Sequence, residues 1–306
     1  KIVYYMCKES LANFLVNKVG VKYSEIKEFI EYGEMIRDLD VEQSTKKDYL
    51  LGESILKNIM EIDKALENIK IADPAVGSGA FPLCMLNEIV RLRDILTSYM
   101  IIYNRQGLFP KTYDDNEIIQ NRSIYKMKWD TIKNCIYAVD LENSAVDITK
   151  LRLWLSIVVD QIEVPKIGPE PLPNLDCKIM QGDSLLDEYC GIKLIDSKFI
   201  DELKSNEDVR FNDFERKGRK KISKNQIQIG DGQKKGQIDY LIELKRELYG
   251  INEPERKKDL QEKIQASRKE LLRLNFIGSN KIDKLFEEDA SHKKRYFAWM
   301  LEYIEV

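Results

Sequence analysis

The sequence predicts an α/β protein: a parallel sheet with helices on both faces, followed by an inserted helical hairpin. Three observations carry that prediction. Short apolar runs, "IKIA", "CIYAVD" and "CKIM", each lead into a turn holding an aspartate. Longer stretches with helical spacing separate those runs, and alternating strands and helices make a parallel, helix-covered sheet. Past about residue 190 the chain turns polar and charged, and a Lys/Gln/Gly-rich stretch leads into two leucine-spaced segments.

From the start, "YYMCKESLANFLVNKV" has a helical repeat in which Met6, Leu11, Phe14, Leu15 and Val19 share one broad face. "LLGESILKNIMEIDKAL" repeats the theme with Ile55, Ile59, Ile62 and Leu66. "IKIA" reads as a strand running into "DPAVGSGAF", after which Leu83, Leu86, Ile89, Val90 and Leu96 mark another helix. A less regular stretch with the loop "NRQGLFPKTYDDN" follows. "CIYAVDL" then reads as a strand and "NSAVDITKLRLWLSIVVD" as a long helix. The proline-rich "EVPKIGPEPLPNLD" must be a loop, because proline blocks both helix and ladder. "CKIMQGDSLL" is a third strand ending in a polar turn. In the hairpin, Leu241, Leu244 and Leu248 mark one helix and Leu260, Ile264, Leu271 and Leu274 the other, with Pro254 near the second helix's start.

The totals exclude several classes. With 306 residues, 43% of them hydrophobic and 33% charged, the chain reads as globular. A net charge of -3 argues against holding nucleic acid by bulk charge. No apolar run reaches the roughly 18 residues of a membrane span, and no signal peptide opens the chain. Five scattered cysteines and a single histidine, His292, make neither a disulfide framework nor a zinc site, so a reducing, cytoplasmic setting is expected. Lys1 leads straight into a helical pattern, which reads as a piece of something longer. Trp129, Trp154 and Trp299 sit in apolar patterns, as core residues do. The basic stretch "ERKGRKKISK" (Glu215 to Lys224) reads as a solvated linker able to touch a DNA backbone.

A strand that ends in Gly77-Ser78-Gly79 and opens a helix offers free backbone N–H groups, and the missing side chains let a ligand approach the main chain. A dinucleotide fingerprint would place a third glycine where Pro82 stands, and its ribose-binding acid near Asp94, inside a helix; NAD is therefore disfavoured. Asp140, at the end of the second strand, is placed to accept ribose hydroxyls, although an acid there also suits a helix N-cap. Asp183 ends the third strand in the same way and could accept from an adenine amino group, or serve a simple turn.

"DPAVGSGAF" resembles motif I of the S-adenosylmethionine-dependent DNA amino-methyltransferases, particularly the adenine-N6 class. "AVDLENSAVDITKLRLWLS" and "QGDSLL" follow in the matching order. "FAWMLEYIEV" (Phe297 to Val306) is similar to a segment of the bifunctional type IIG restriction–modification enzymes and related phage-defence methyltransferases, and "KIVYYMCKESL" to the helix after that family's motif X. The resemblance implies a Rossmann-like class I methyltransferase sheet, present in part. It implies S-adenosyl-L-methionine as cofactor and double-stranded DNA as partner of the full-length protein, with no metal and no membrane. Asp73, Pro74, Ala75, Gly77 and Gly79 would wrap the methionine part, and Phe81 would pack beside the cofactor or under the sheet. Asp140 would hold the ribose with Leu141 flanking the adenine ring, while Asp183, Ser184 and Leu185 would line the adenine pocket. Three parts are expected: a cofactor-binding part over 1–190, a variable helical insertion over 191–295, and a return toward the sheet over 296–306.

The family's Asn-Pro-Pro-Tyr motif draws on the hydrogens of the target amine and stacks on a flipped-out base. No Asn-Pro-Pro occurs in the sequence, so no catalytic residue is assigned and this chain alone should not methylate DNA. Two other readings compete: a nucleotide- or NAD-binding oxidoreductase, and a non-catalytic module whose helical hairpin binds a protein partner.

Overall fold

The computed structural model of the protein describes residues 1–42, 49–105, 122–160, 174–189, 192–195, 231–251, 253–275, 284–286 and 296–303. The basic stretch 215–224, Cys190, His292 and most of both expected loops, 104–116 and 163–176, lie outside them. The chain divides into two compact units, Lys1–Met180 and Gln181–Val306.

In the first unit α1 (Ile2–Val19), α2 (Tyr23–Glu42), α3 (Glu53–Lys57) and α4 (Ile59–Glu67) precede β1 (Ile71–Asp73). Then come α5 (Ala80–Arg105), α6 (Ile124–Cys135), β2 (Ile136–Asp140) and α7 (Asn143–Val158), and β3 (Ile179–Gln181) begins at the unit's end. β1 and β2 run parallel, with Ile71 opposite Ile136 and Asp73 opposite Ala138. The strand order is β1-β2-β3, and the Ala138 N–H donates to the Lys178 carbonyl at 2.9 Å. The described fold is mostly helical around this small three-stranded parallel sheet.

The central element is α5, which packs against α1, α2, α4, α6 and the first two strands. Leu86, Ile89, Leu92, Ile95, Leu96 and Tyr99 are all buried along it. Each such side chain contributes about 1.5–3 kcal/mol on leaving water. Pro82 sits in the first turn of α5, where its missing N–H leaves no helix bond unmade.

Several expectations shift in detail. α1 buries Cys7, Leu11, Ala12 and Leu15, whereas Met6 is 49% exposed; the buried stripe is rotated by one position. Gly20, at φ 79°, closes α1 as a left-handed C-cap. Ile55, Ile59, Ile62 and Leu66 are buried as expected, but on two helices that meet at Asn58. α2 and α6 were not anticipated; the Ser123 side chain caps α6 by accepting from the Lys126 N–H. The described cysteines, Cys7, Cys84, Cys135 and Cys177, form no disulfide, and Trp129 and Trp154 pack at the core's margin.

Buried charge also ties the first unit together. Asp63 accepts from Arg93 Nε at 2.9 Å and from both terminal nitrogens of Arg122, at 2.7 and 2.5 Å. Burial pushes the Asp63 carboxyl up, but the Arg122 and Arg93 guanidinium groups together outweigh it and hold it below the usual carboxylate range.

In the second unit β4 (Glu188–Tyr189) and β5 (Ile192–Lys193) pair antiparallel. α8 (Asp231–Tyr249) and α9 (Pro254–Asn275) pack as the expected hairpin, burying Leu241, Leu244 and Leu248 on one helix and Leu260, Ile264 and Leu271 on the other. A short α10 (Trp299–Glu302) follows. Lys245 of α8 is buried and donates to the carbonyls of Leu301 (3.3 Å) and Glu302, while Arg268 of α9 pairs with the Glu302 carboxylate.

Candidate functional site

In the first unit β1 ends at Asp73, whose Oδ1 accepts from the Ala75 N–H at 3.1 Å. The chain then crosses the end of β2: the Val76 N–H donates to the Val139 carbonyl (3.0 Å) and the Gly77 N–H to Asp140 Oδ2 (2.7 Å). Gly77 and Gly79 both hold positive φ, 54° and 78°, which side-chain-bearing residues rarely adopt. A Cβ on Gly77 would meet nothing within 4 Å, whereas one on Gly79 would lie 2.9 Å from Thr149. The first glycine therefore faces open space and the second faces packed protein.

Asp140 does two jobs at once. Its Oδ1 accepts from the Glu142 N–H at 3.0 Å while its Oδ2 holds Gly77. The N-cap of α7 is Glu142, without a side-chain cap bond, so Asp140 is not the helix cap. Asp73 lies near enough for the two carboxylates to interact. Burial pushes the Asp73 carboxyl up and the Asp140 charge pushes it further, against the lowering bond from the Ala75 N–H.

Pro74, Ala75 and Leu141 are exposed, Leu141 at 55%, and Phe81 packs against the core from the first turn of α5. The structure thus brings Asp73, Gly77, Gly79 and Asp140 together at the strand ends. Asp94, by contrast, lies on α5 with its carboxylate bonded to Arg37 at 3.1 Å.

Asp183, Ser184 and Leu185 belong to the second unit. Asp183 Oδ1 accepts from the Leu185 N–H at 3.0 Å, the same two-residue step that Asp73 and Asp140 make. Tyr296 bridges Asp183, the Phe297 N–H donates to the Leu186 carbonyl (3.2 Å), and Trp299 Nε1 donates to the Ser184 carbonyl (2.9 Å). A Cβ on Gly182 would lie 2.5 Å from Cδ2 of Phe297. "QGDSLL" and the closing aromatic segment, far apart in the chain, are therefore one structural piece. The Leu185 side chain is 87% exposed.

Two residues escaped the sequence reading. Thr149 Oγ1 donates to the Gly77 carbonyl at 3.1 Å, and Arg152 Nη1 donates to the Ser78 carbonyl at 2.7 Å. They lie three positions apart on α7, the helix that follows the strand-end acid, and no local signal marks them, because their partners are 72 and 74 residues away in the chain.

Among the described residues no group of His, Cys, Asp and Glu could hold a metal ion, and no helix is long and apolar enough to cross a membrane.

A strand, a glycine turn at positive φ, a helix and a second parallel strand whose terminal acid grips the turn define an open α/β protein, the class that binds ligands beyond its strand ends. Residues 134–304, more than half of the chain, match the Eco57I restriction-modification methylase family, and the chain belongs to that family. The match includes Asp140 and Asp183 but starts after the glycine turn. A protein of Methanocaldococcus jannaschii that carries the name of a type II restriction enzyme and methyltransferase is 32% identical over 152 residues, covering 48% of this chain and 11% of that relative. The chain thus spans a small part of that relative's length. No solved structure matches it.

Proposed function

We propose that this chain is the cofactor-binding portion of a DNA methyltransferase that transfers a methyl group from S-adenosylmethionine to adenine N6 within a restriction–modification or phage-defence system. The observation that carries the reading is the bond from the Gly77 N–H to Asp140, which sets a turn with two glycines at positive φ against the acid ending the neighbouring strand. In this reading the sheet is part of a Rossmann-like methyltransferase sheet. The first 190 residues hold the cofactor, 191–295 form a variable insertion, and 296–306 return toward the sheet.

The residues present suit that cofactor. The exposed residues Pro74, Ala75 and Ser78 and the open side of Gly77 leave room at the strand end for its amino-acid part. Asp73 would meet the methionine part and Asp140 the ribose hydroxyls, with Leu141 flanking the adenine and Phe81 packed beside the cofactor or under the sheet. The bound cofactor would supply an electrophilic methyl group, and the role of these residues is to bind and orient it. Double-stranded DNA is the proposed partner of the intact protein and the cytoplasm its setting. Because no Asn-Pro-Pro occurs, this chain alone is expected to leave DNA unmethylated. The ion pair between Asp94 and Arg37 weighs against NAD, since the acid at the fingerprint spacing is committed elsewhere.

Calorimetric titration with S-adenosylhomocysteine, with NAD as control, tests the reading. Saturable binding of the first and none of the second is expected. Binding of NAD in preference, or of neither by the intact protein, would overturn it.

A further inference from the structure

The peptide that joins Gly77 to Ser78 is held from behind. Thr149, fully buried on α7, donates its hydroxyl hydrogen to the Gly77 carbonyl at 3.1 Å, and its side chain fills the space a Cβ on Gly79 would need. A trans peptide points its carbonyl and its N–H in opposite directions, and no cis peptide occurs among the described residues. Fixing the Gly77 carbonyl toward α7 therefore turns the Ser78 N–H away from α7, at an exposed residue. The neighbouring donors are used: Ala75 by Asp73, Val76 by Val139, Gly77 by Asp140 and Gly79 by the Val76 carbonyl. The Ser78 N–H has no partner among the described residues. Arg152 completes the arrangement. It donates to the Ser78 carbonyl at 2.7 Å and to the Ser78 hydroxyl at 3.3 Å, so the next peptide is also fixed and a guanidinium charge stands beside the turn.

We propose that Thr149 and Arg152 are positioning residues that hold the glycine turn so that the Ser78 N–H is presented to the carboxylate of the bound cofactor. This rests on the methyltransferase reading above. It goes beyond it by assigning a function to two residues of the helix after the strand-end acid. A prealigned donor costs little reorganisation on binding, and a free turn would lose that advantage. The carboxylate is the group in question because an N–H beside a cation favours an anion over a hydroxyl or a ring nitrogen.

The test is a set of titrations on the intact protein with two ligands, S-adenosylhomocysteine and 5′-methylthioadenosine, which lacks the amino-acid carboxylate. Thr149→Val keeps the shape and removes the donor; Thr149→Ser keeps the donor; Arg152→Met removes the half-buried guanidinium and keeps most of its stem. Weakening of S-adenosylhomocysteine binding by about tenfold is expected for Thr149→Val, as for the loss of one aligned hydrogen bond, with near-native affinity restored in Thr149→Ser. Arg152→Met is expected to weaken it severalfold, and methylthioadenosine should bind all variants alike. Equal loss for both ligands would show general damage to the turn and overturn the proposal, as would unchanged S-adenosylhomocysteine affinity in Arg152→Met and Thr149→Val. Should the unsubstituted protein bind methylthioadenosine and S-adenosylhomocysteine equally, the carboxylate contact fails while the adenosine site stands. Should it bind neither, the methyltransferase reading itself falls.

Discussion

Asp140 accepts a 2.7 Å hydrogen bond from the Gly77 backbone N–H, so the acid that ends one strand holds the turn that ends its neighbour. The two are 63 residues apart in the chain and adjacent only because β1 and β2 pair in parallel. The same carboxylate that is proposed to meet the ribose therefore also shapes the surface that meets the rest of the ligand.

Asp73 stands close enough to Asp140 to feel its charge, and its raised folded-state value has a consequence for stability. A carboxyl whose folded pKa exceeds its unfolded one favours the folded state most when protonated. Stability is lost as pH rises from about 4 through the folded value. Asp73→Asn keeps an acceptor for the Ala75 N–H and removes the charge. It is expected to raise the melting temperature at pH 7 and not at pH 3.5, while weakening S-adenosylhomocysteine binding. Thermal melts across that range, beside titrations at pH 7, check both halves; a variant less stable at pH 7 would contradict a carboxyl raised by burial and by the Asp140 charge.

The two glycines of the turn should respond differently. Alanine at either must adopt a left-handed conformation, at about 1–2 kcal/mol. Gly77→Ala meets open space and should stop near that cost. Gly79→Ala also drives its Cβ to 2.9 Å from Thr149 and should cost more. In urea denaturation the excess for Gly79→Ala should shrink when Thr149→Ala is added, because the two residues share one contact.

Asp63→Asn is expected to destabilise the first unit by about 3–5 kcal/mol, because it leaves the Arg93 and Arg122 charges short of their shared partner in a buried place. Here the folded pKa is depressed, so the stabilisation is present above the unfolded value near 4 and is lost as pH falls below it. The difference between variant and parent in urea midpoint should be full at pH 7 and shrink as the pH drops toward 3.

In the second unit Lys245→Met preserves the buried stem and removes the donors to Leu301 and Glu302. Loss of such bonds costs about 1–3 kcal/mol, and the effect should appear as faster amide exchange in α10 and at Phe297. Unaltered exchange there would show that Lys245 is not what holds α10.

The turn was legible in the sequence because its signal is local: two glycines one residue apart stand after an apolar run and before a helical repeat, with an aspartate and a proline just ahead of them. Pro82 was legible as a departure from the dinucleotide pattern, and its place in the first turn of α5 explains why the chain tolerates it. The hairpin was legible from its leucine spacing and from Pro254, which begins α9. The phase of α1 was not, because Met6 and Cys7 are both apolar and only packing decides which is inside. The break at Asn58 was hidden because an uninterrupted apolar repeat runs through it. Thr149 and Arg152 were missed because their partners lie 72 and 74 residues away, a distance no local pattern spans.

The bond between the Phe297 N–H and the Leu186 carbonyl puts the point where the chain leaves for the intervening segment beside the point where it comes back. A detour that starts and finishes at one place can change length without moving the residues on either side. For a flexible loop, doubling its length costs only about 0.6 kcal/mol of closure entropy. Relatives of this protein can therefore lengthen, shorten or exchange that stretch over evolutionary time and keep the Asp183 turn unaltered, provided something still clamps α10 as Lys245 and Arg268 do here.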